Sequence, residues 1–223
     1  QLIALDTETT SIDPLRADLV GISLAIKEGE GYYIPVGHRG GEAQLPLETV
    51  LNAIRPAMTN QGILKAGHNL KYDILALKAV GLDVSPLSFD TMIAEWLCDP
   101  SSRNLGLKDL ADARLGIAMT HIEELIGRGK DQVTMERVPV SKAAPYAAAD
   151  AEVTLRLVPI LRQKLEESGS LNIFNEIEMP LVPVLRDMEF EGISLDVSFL
   201  TDLSSELALR LNELEKEVFD LVG

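Results

Sequence analysis

A chain of 223 residues with 46% hydrophobic content can fold as one sizeable domain, or as one domain with an appendage, around a substantial core. It contains no apolar run near the roughly 20 residues of a membrane span, which argues against a membrane protein. The net charge of −15 is unlike the basic balance of most nucleic-acid-binding proteins, but residues 176–223 contribute −9 of it and residues 1–175 only −6.

The first predicted element is a short buried strand, the apolar run 2–5, which leads directly into Asp6 and Glu8. Strand side chains alternate between faces with a period of two, so both carboxylates project from the same side. Like charges held that close repel unless a cation or a proton lies between them, and hard divalent ions prefer oxygen ligands. The pair therefore indicates a metal site, although an acidic strand end in solvent would show the same spacing.

The segments that follow predict an α/β chain in which strands come first and helices alternate after them. Two more strands form a meander with the first one, Gly81 ends a helix as its C-cap, and Ser141 is the expected N-cap of a long helix. The predicted bounds are strands at 18–26, 31–36 and 62–66, and helices at 46–58, 74–80, 89–97, 107–115, 141–167 and, with an amphipathic stripe, 200–221.

Two further acids lie at helical spacing from a polar partner. Asn69 and Asp73 are four residues apart where a strand meets a helix, and Tyr146 and Asp150 have the same spacing inside the long helix, with alanines between them that leave room for a close approach. Taken singly, Asn69 could be a helix cap, and a Tyr/Asp pair usually lies on a solvated face. The three motifs D-x-E, N-x-x-x-D and Y-x-x-x-D together are hard to produce by accident.

These motifs resemble those of the DEDD 3′–5′ exonucleases, in the branch whose third motif carries a tyrosine. The segments Asn69-Leu-Lys-Tyr-Asp, Phe89-Asp-Thr-Met, Gly127-Arg-Gly-Lys and Ile177-Glu-Met-Pro are similar to the proofreading domain of bacterial family A DNA polymerases. The resemblance implies an α/β, ribonuclease H-like fold over residues 1–175, with a mixed central sheet flanked by helices. It also implies that residues 176–223 are the helical start of a polymerase domain, without polymerase activity of their own.

The resemblance implies a role for each motif residue. Asp6, Glu8 and Asp150 would hold one Mg²⁺, Asp6 would bridge to a second Mg²⁺, and Asp73 would support that second ion, with Mn²⁺ or Zn²⁺ as possible substitutes. Two-metal sites clamp the attacking and leaving oxygens of an in-line displacement. Tyr146 would orient the attacking water, assisted by Glu8. The residues implied to contact substrate are Ile12 and Ile122, against the terminal bases, and His68, Asn69, Tyr72 and Arg103, which would face the strand.

The implied substrate is the 3′ end of single-stranded or frayed DNA, and the implied partner is the polymerase domain of the same full-length chain. We expect a monomer. We also expect it in the bacterial cytoplasm, because the single Cys98 allows no internal disulfide and fits a reducing compartment. The chain starts with Gln1 inside an apolar run, so we expect a piece of a longer protein. Pro145 departs from the family pattern, and we expect it in the first turn of the long helix, where proline is tolerated.

Two other functions stay open from the sequence. Ribonuclease D-like exoribonucleases share all three motifs, although the polymerase-like continuation after Glu176 argues against that function. Telling RNA from DNA depends on contacts at the 2′-hydroxyl, which the sequence does not display. The alternative that is not an enzyme is a module that keeps the fold and only binds DNA ends. Such a module could lose its acids, but all four acids and Tyr146 are present in this chain.

Overall fold

The computed structural model describes all 223 residues, and it confirms the predicted α/β architecture of a mixed sheet flanked by helices. The chain forms strands β1 (Leu2–Thr9), β2 (Leu19–Lys27), β3 (Glu30–Pro35), β4 (Leu64–Gly67) and β5 (Leu87–Asp90), and helices α1 (Leu47–Thr59), α2 (Leu70–Ala79), α3 (Thr91–Cys98), α4 (Leu107–Leu115), α5 (Ile122–Ile126), α6 (Val140–Glu167), α7 (Leu171–Ile173), α8 (Met179–Glu191) and α9 (Val197–Val222).

The sheet has the order β3-β2-β1-β4-β5, with β1 at its centre. β1 pairs antiparallel with β2, and β2 with β3, which is the predicted meander. β4 and β5 are added in parallel to β1. Because parallel strands end at the same edge of a sheet, the acids at the end of β1 come close to the segments that follow β4 and β5.

The segment 89–97, predicted as one helix, is divided between a strand and a helix. β5 ends at Asp90 and α3 begins at Thr91. The Asp90 carboxylate accepts hydrogen bonds from the N–H groups of Met92 and Ile93, so it is the N-cap and the helix starts after it. The prediction was wrong because Phe89 fits an apolar helical face as well as it fits a buried strand.

The long helix α6 begins earlier than predicted. Its first residue is Val140 and Pro139 occupies the N-cap position, so Ser141 is not the cap. Pro145 consequently lies in the second turn, where the expectation placed it in the first. Proline has no backbone N–H, so the carbonyl of Ser141 lacks the donor that the residue four positions later normally supplies. The predicted end at Glu167 is confirmed.

Helix α6 packs across β1, β2 and β3 through its small residues. Ala147 and Ala151 are fully buried. A Cβ atom at Gly31 of β3 would lie only 2.3 Å from the carbonyl oxygen of Ala148. The alanines thus allow a close approach to α6, and the backbone of β3 is the segment that makes it. This contact sets how closely α6 packs on the sheet at its β3 edge.

The chain divides into two compact units, Gln1–Phe190 and Glu191–Gly223. The first contains the sheet and every candidate site residue. The second contains α9, which confirms the predicted tail helix, and its apolar side chains are exposed in this chain. A functional boundary between residues 175 and 176 stays a prediction. None of the helices combines the length and the apolar character that crossing a membrane requires.

Candidate active site

Three acids from two elements converge beside the central strand. Asp6 and Glu8 project from the same side of β1, as the alternation of strand side chains predicts. Asp150 reaches the same place from α6, and its carboxylate oxygen and those of Asp6 and Glu8 all lie within 4.8 Å of one another. Glu8 and Asp150 are each only 7% exposed. This acid cluster offers oxygen donors only, which is the ligand set that hard divalent cations prefer.

Asp73 lies next to this acid cluster but is held by a different contact. Its Oδ1 atom accepts hydrogen bonds from the backbone N–H of Thr7, at 2.8 Å, and from the Thr7 hydroxyl, at 2.7 Å. Asp73 is 3% exposed, and its charge acts on Asp6. The structure therefore brings the four acids together while giving Asp73 a firm attachment to β1 through one of its two oxygens.

Burial dominates the electrostatics of these four acids. It raises the pKa of Glu8 to about 8, that of Asp73 to about 7, and the pKa values of Asp6 and Asp150. The negative charges of Asp73, Glu8 and Asp150 raise the pKa of Asp6 further. Crowded, buried carboxylates need a compensating positive charge to be ionised at neutral pH. The donor set and its charge therefore fit a divalent cation.

Tyr146 lies on α6 one helical turn before Asp150, so both side chains are on one face. Burial, followed by the charges of Asp150, Glu8 and Asp6, raises the pKa of Tyr146. The side chain consequently stays a neutral phenol, which can both donate and accept a hydrogen bond. This is the property that a group orienting a water molecule needs.

Lys108, in the first turn of α4, is a site residue that the sequence did not reveal. Its ammonium group donates to Oδ1 of Asp150 and lies 4.4 Å from the centre of the Tyr146 ring. Its positive charge lowers the pKa values of Asp6, Glu8 and Asp150 against the effect of burial. Because Lys108 and Asp150 are 42 residues apart in the chain, no spacing rule links them.

Asp90 is a second residue whose role the sequence did not reveal. Its Oδ2 accepts the N–H of Leu70 at 2.7 Å, and its Oδ1 accepts the N–H of Asn69 at 3.2 Å. These bonds fix the start of α2 and thereby position Asp73. Asn69 itself adopts a left-handed backbone with φ 57°, and its side chain makes no capping bond. Asn69 therefore occupies the N-cap position of α2, which was the alternative open from the sequence, but it caps the helix without a side-chain hydrogen bond.

A cleft of about 680 Å³ lies beside the acids and contains most of the predicted substrate contacts. Ile12, Ile122, Asn69 and Tyr72 all line it. Ile12 is 97% exposed, and such an apolar side chain at the edge of a cleft suits contact with the flat face of a base. The Tyr72 hydroxyl donates to the carbonyl of Ser11, which ties α2 to the loop that carries Ile12.

His68 and Arg103 do not line this cleft. Nδ1 of His68 is bonded to the Thr91 hydroxyl at 2.8 Å, and Nε2 is buried, so the polar atoms of the ring face the protein interior. Burial lowers the pKa of His68 to about 4, and the ring is neutral at physiological pH. Arg103 is exposed in the loop before α4. Substrate contacts by these two residues stay predictions.

Residues 1–166 match the family described as 3′–5′ exonuclease. DNA polymerase I of Chloroflexus aurantiacus is 44% identical over 223 residues, which cover 99% of this chain and 23% of that protein. DNA polymerase I of Pseudomonas aeruginosa is 40% identical over 228 residues, covering 100% of this chain and 25% of that protein. The chain thus spans about a quarter of the length of these relatives.

Two solved structures show the same fold at low sequence identity. Brucella melitensis NrnC with bound Mg²⁺ aligns with a TM-score of 0.66 at 22% identity, covering 88% of this chain and 89% of that chain. The POL domain of Pol1 from M. smegmatis, in complex with DNA primer-template and dNTP, aligns with a TM-score of 0.76 at 23% identity, covering 99% of this chain and 33% of that chain. These likenesses confirm the predicted ribonuclease H-like sheet with a helical continuation.

Proposed function

We propose, since this chain belongs to the 3′–5′ exonuclease family of family A DNA polymerases, that it removes nucleotides from the 3′ end of single-stranded or frayed DNA. The observation that carries this proposal is the convergence of Asp6, Glu8 and Asp150 within 4.8 Å, with Tyr146 one helical turn before Asp150. Because the chain corresponds to about a quarter of its relatives, we propose further that it is the proofreading part of a longer, monomeric polymerase chain in the bacterial cytoplasm.

The acids would hold two Mg²⁺ ions, for which Mn²⁺ or Zn²⁺ could substitute. Asp6, Glu8 and Asp150 fit one ion, and Asp6 would be shared with the second. Asp73 would support the second ion through its Oδ2 atom and a water molecule, because Oδ1 already accepts two hydrogen bonds from Thr7. When bound, such ions lower the pKa of a water molecule and stabilise the charge that develops on the departing 3′ oxygen.

The other residues would bind and orient the reactants. The phenol of Tyr146 and a carboxylate oxygen of Glu8 would hold the attacking water in line with the phosphodiester bond. Ile12 and Ile122 would pack against the terminal bases, and Asn69 and Tyr72 would contact the strand within the cleft. Every base has a flat face, so packing against apolar side chains tolerates any base, as removal of an arbitrary mismatched nucleotide requires.

Digestion of a single-stranded DNA oligonucleotide labelled at its 5′ end tests this function. With Mg²⁺ we expect a ladder of labelled products that shorten from the 3′ end, and no digestion in chelator. Release of the label as a mononucleotide at the earliest times would contradict the direction. An RNA oligonucleotide of the same sequence is the comparison, because equal or faster digestion of RNA would favour an exoribonuclease. Binding of DNA without digestion would favour an end-binding module.

A further inference from the structure

We infer that Lys108 is a positioning residue that serves as the built-in counter-ion of the acid cluster and that a metal ion must displace from Asp150. This inference depends on the proposed function, since it concerns the same acids. It adds a residue that none of the three motifs contains. It also predicts two opposite effects: the lysine weakens metal binding, and it stabilises the folded protein in chelator.

The contacts of Lys108 place its charge inside the acid cluster. Its side chain is 16% exposed and that of its partner Asp150 is 9% exposed. The ammonium group is bonded to Oδ1 of Asp150 on one side and lies over the Tyr146 ring on the other. An ion pair with so little exposure is poorly screened by water and salt. The loss of either partner therefore leaves an uncompensated buried charge.

A metal ion and the lysine compete for the same oxygen. A divalent cation coordinated by Oδ1 of Asp150 would lie close to an ammonium group bonded to that atom, and like charges so placed repel strongly at low dielectric. The ammonium group must therefore leave Asp150 when the metal binds. The ammonium group already lies over the Tyr146 ring and can keep that contact when it leaves the carboxylate, because a cation over an aromatic face is itself stabilised.

The two consequences of this exchange have opposite signs. Without Lys108 the metal no longer displaces a bound charge and no longer meets its repulsion, so metal affinity should rise. In chelator the same variant has nothing to balance the acid cluster, so the folded state should be less stable. If Lys108 had only a packing role, its substitution would lower stability and would leave metal affinity unchanged or weaker.

Lys78 offers a matched control for both contacts. Its ammonium group is bonded to Asp187 at 3.0 Å and lies 4.9 Å from the centre of the Phe190 ring. Its side chain is 24% exposed, which is similar to that of Lys108. None of these residues belongs to the acid cluster. The partner of Lys78, Asp187, is 51% exposed, so Lys78→Met removes the same two kinds of contact, an ion pair and a cation–π contact, at a more solvated place away from the proposed metal site.

The test is a Mn²⁺ titration of the wild-type chain, Lys108→Met, Lys108→Arg and Lys78→Met, followed through the electron paramagnetic resonance signal of free aqueous Mn²⁺. We expect Lys108→Met to bind Mn²⁺ at least about threefold more tightly, and Lys108→Arg and Lys78→Met to bind like the wild type. In chelator we expect a lower unfolding temperature for Lys108→Met and recovery in Lys108→Arg. Lys108→Gln, which keeps a hydrogen-bond donor without the charge, replaces Lys108→Met should that variant not fold.

The outcomes separate this inference from the proposed function. Unchanged or weaker Mn²⁺ binding by Lys108→Met, in a chain whose wild type binds Mn²⁺, overturns the inference alone. Tighter binding by Lys108→Arg to the same extent also overturns it, because the charge would then not be the cause. If the wild-type chain bound no Mn²⁺, the proposed function and this inference would both fall.

Discussion

Thr7 donates two hydrogen bonds to a single oxygen of Asp73, one from its backbone N–H at 2.8 Å and one from its hydroxyl at 2.7 Å. Thr7 stands between Asp6 and Glu8 on β1, so the alternation of the strand turns its side chain to the opposite face. The strand that carries two acids of the site is in this way tied to the helix that carries a third. The position of α2 relative to β1 depends on this contact.

The first prediction concerns this bond. Thr7→Val keeps the shape of the side chain and removes the hydroxyl donor to a buried carboxylate. We expect the free energy of unfolding to fall by about 1–3 kcal/mol, because a buried acceptor loses a partner. For a chain of this size each kcal/mol corresponds to about 2–4 °C in unfolding temperature. Circular dichroism during heating in Mg²⁺ measures the change.

Thr59→Val is the control for that measurement. The Thr59 hydroxyl is exposed at the end of α1 and bonds only to the Arg55 carbonyl of the same helix. Its removal should change the free energy of unfolding by no more than about 0.5 kcal/mol. Equal effects of the two substitutions would mean that the Thr7–Asp73 bond does not hold β1 and α2 together.

The parts of the site that the sequence predicted are those linked by short spacings. Asp6 and Glu8 share a face because a strand repeats every two residues, and Tyr146 and Asp150 share one because a helix nearly repeats every four. The meander of β1, β2 and β3 followed from short connections in the same way. Local periodicity therefore accounts for the arrangement of three of the four acids within their own elements.

The contacts between elements could not be predicted in this way. Lys108 meets Asp150 only because α4 and α6 pack together, and Asp90 reaches the start of α2 only because β4 and β5 are neighbours. Nothing in the spacing of 42 or 20 residues indicates such a pair. Long-range ion pairs and caps follow from the tertiary fold, so a single sequence does not display them.

The second prediction concerns Asp6, on which the charges of all three other acids of the site act. Asp6→Asn should lower the rate of digestion of single-stranded DNA by at least about 10³-fold, since the variant loses a charged ligand proposed to be shared by both ions. In chelator it should unfold at the same or a higher temperature, because one of several crowded charges is gone. Asp18→Asn, at an exposed position outside the site, should leave both quantities unchanged. Wild-type activity in a folded Asp6→Asn protein would contradict the proposed metal ligands.

The third prediction separates a positioning role from a ligand role. Tyr146→Phe keeps the ring over which Lys108 lies and removes only the hydroxyl. We expect cleavage to slow by about 10–10³-fold, as for the loss of a group that orients the attacking water, with Mn²⁺ affinity nearly unchanged. Single-turnover digestion and a Mn²⁺ titration measure the two quantities. A loss of Mn²⁺ affinity as large as the loss of rate would assign Tyr146 to metal binding.

The fourth prediction is a dependence of stability on pH that bound metal reduces. The fold raises the pKa of Glu8 from 4.5 to about 8 and that of Asp73 from 3.8 to about 7, so it favours their protonated forms. Their contribution to stability is fully present below the ordinary pKa values and is lost as the pH rises through the values in the fold. In chelator the unfolding temperature should therefore fall between pH 6.5 and 9.

Saturating Mg²⁺ should make that fall smaller, because a cation offsets the charge of the ionised carboxylates. Glu8→Gln should reduce the slope in chelator, since it removes one of the acids whose pKa the fold raises. The range starts at pH 6.5 so that His68 does not contribute. The fold lowers the pKa of His68 from 6.5 to about 4, so this residue destabilises the fold only below pH 6.5. A rise of unfolding temperature with pH in chelator would show that ionisation of the four acids does not destabilise the folded state.

The last prediction concerns the affinity for single-stranded DNA. Backbone contacts by cationic side chains normally supply most of this affinity and its salt dependence. Here Lys108 is bonded inside the acid cluster, and Arg128 and Lys130 are two exposed cations that flank the cleft residue Gly129. Bound metal ions and packing against bases must therefore carry much of the binding.

We expect weak binding, a near-total loss of binding in chelator, and a shallow salt dependence. Two phosphate contacts on a single strand correspond to a slope of log affinity against log salt of about −1.4. Replacing Arg128 and Lys130 together by Ser should bring that slope towards zero, whereas replacing Arg210 by Ser in α9, outside the exonuclease part, should not change it. The measurement is fluorescence anisotropy of a short labelled strand with Ca²⁺ and with chelator across a salt series. Tight binding in chelator with a steep slope would require a basic surface beyond these two side chains, and metal ions would then not be the main anchor of the DNA end.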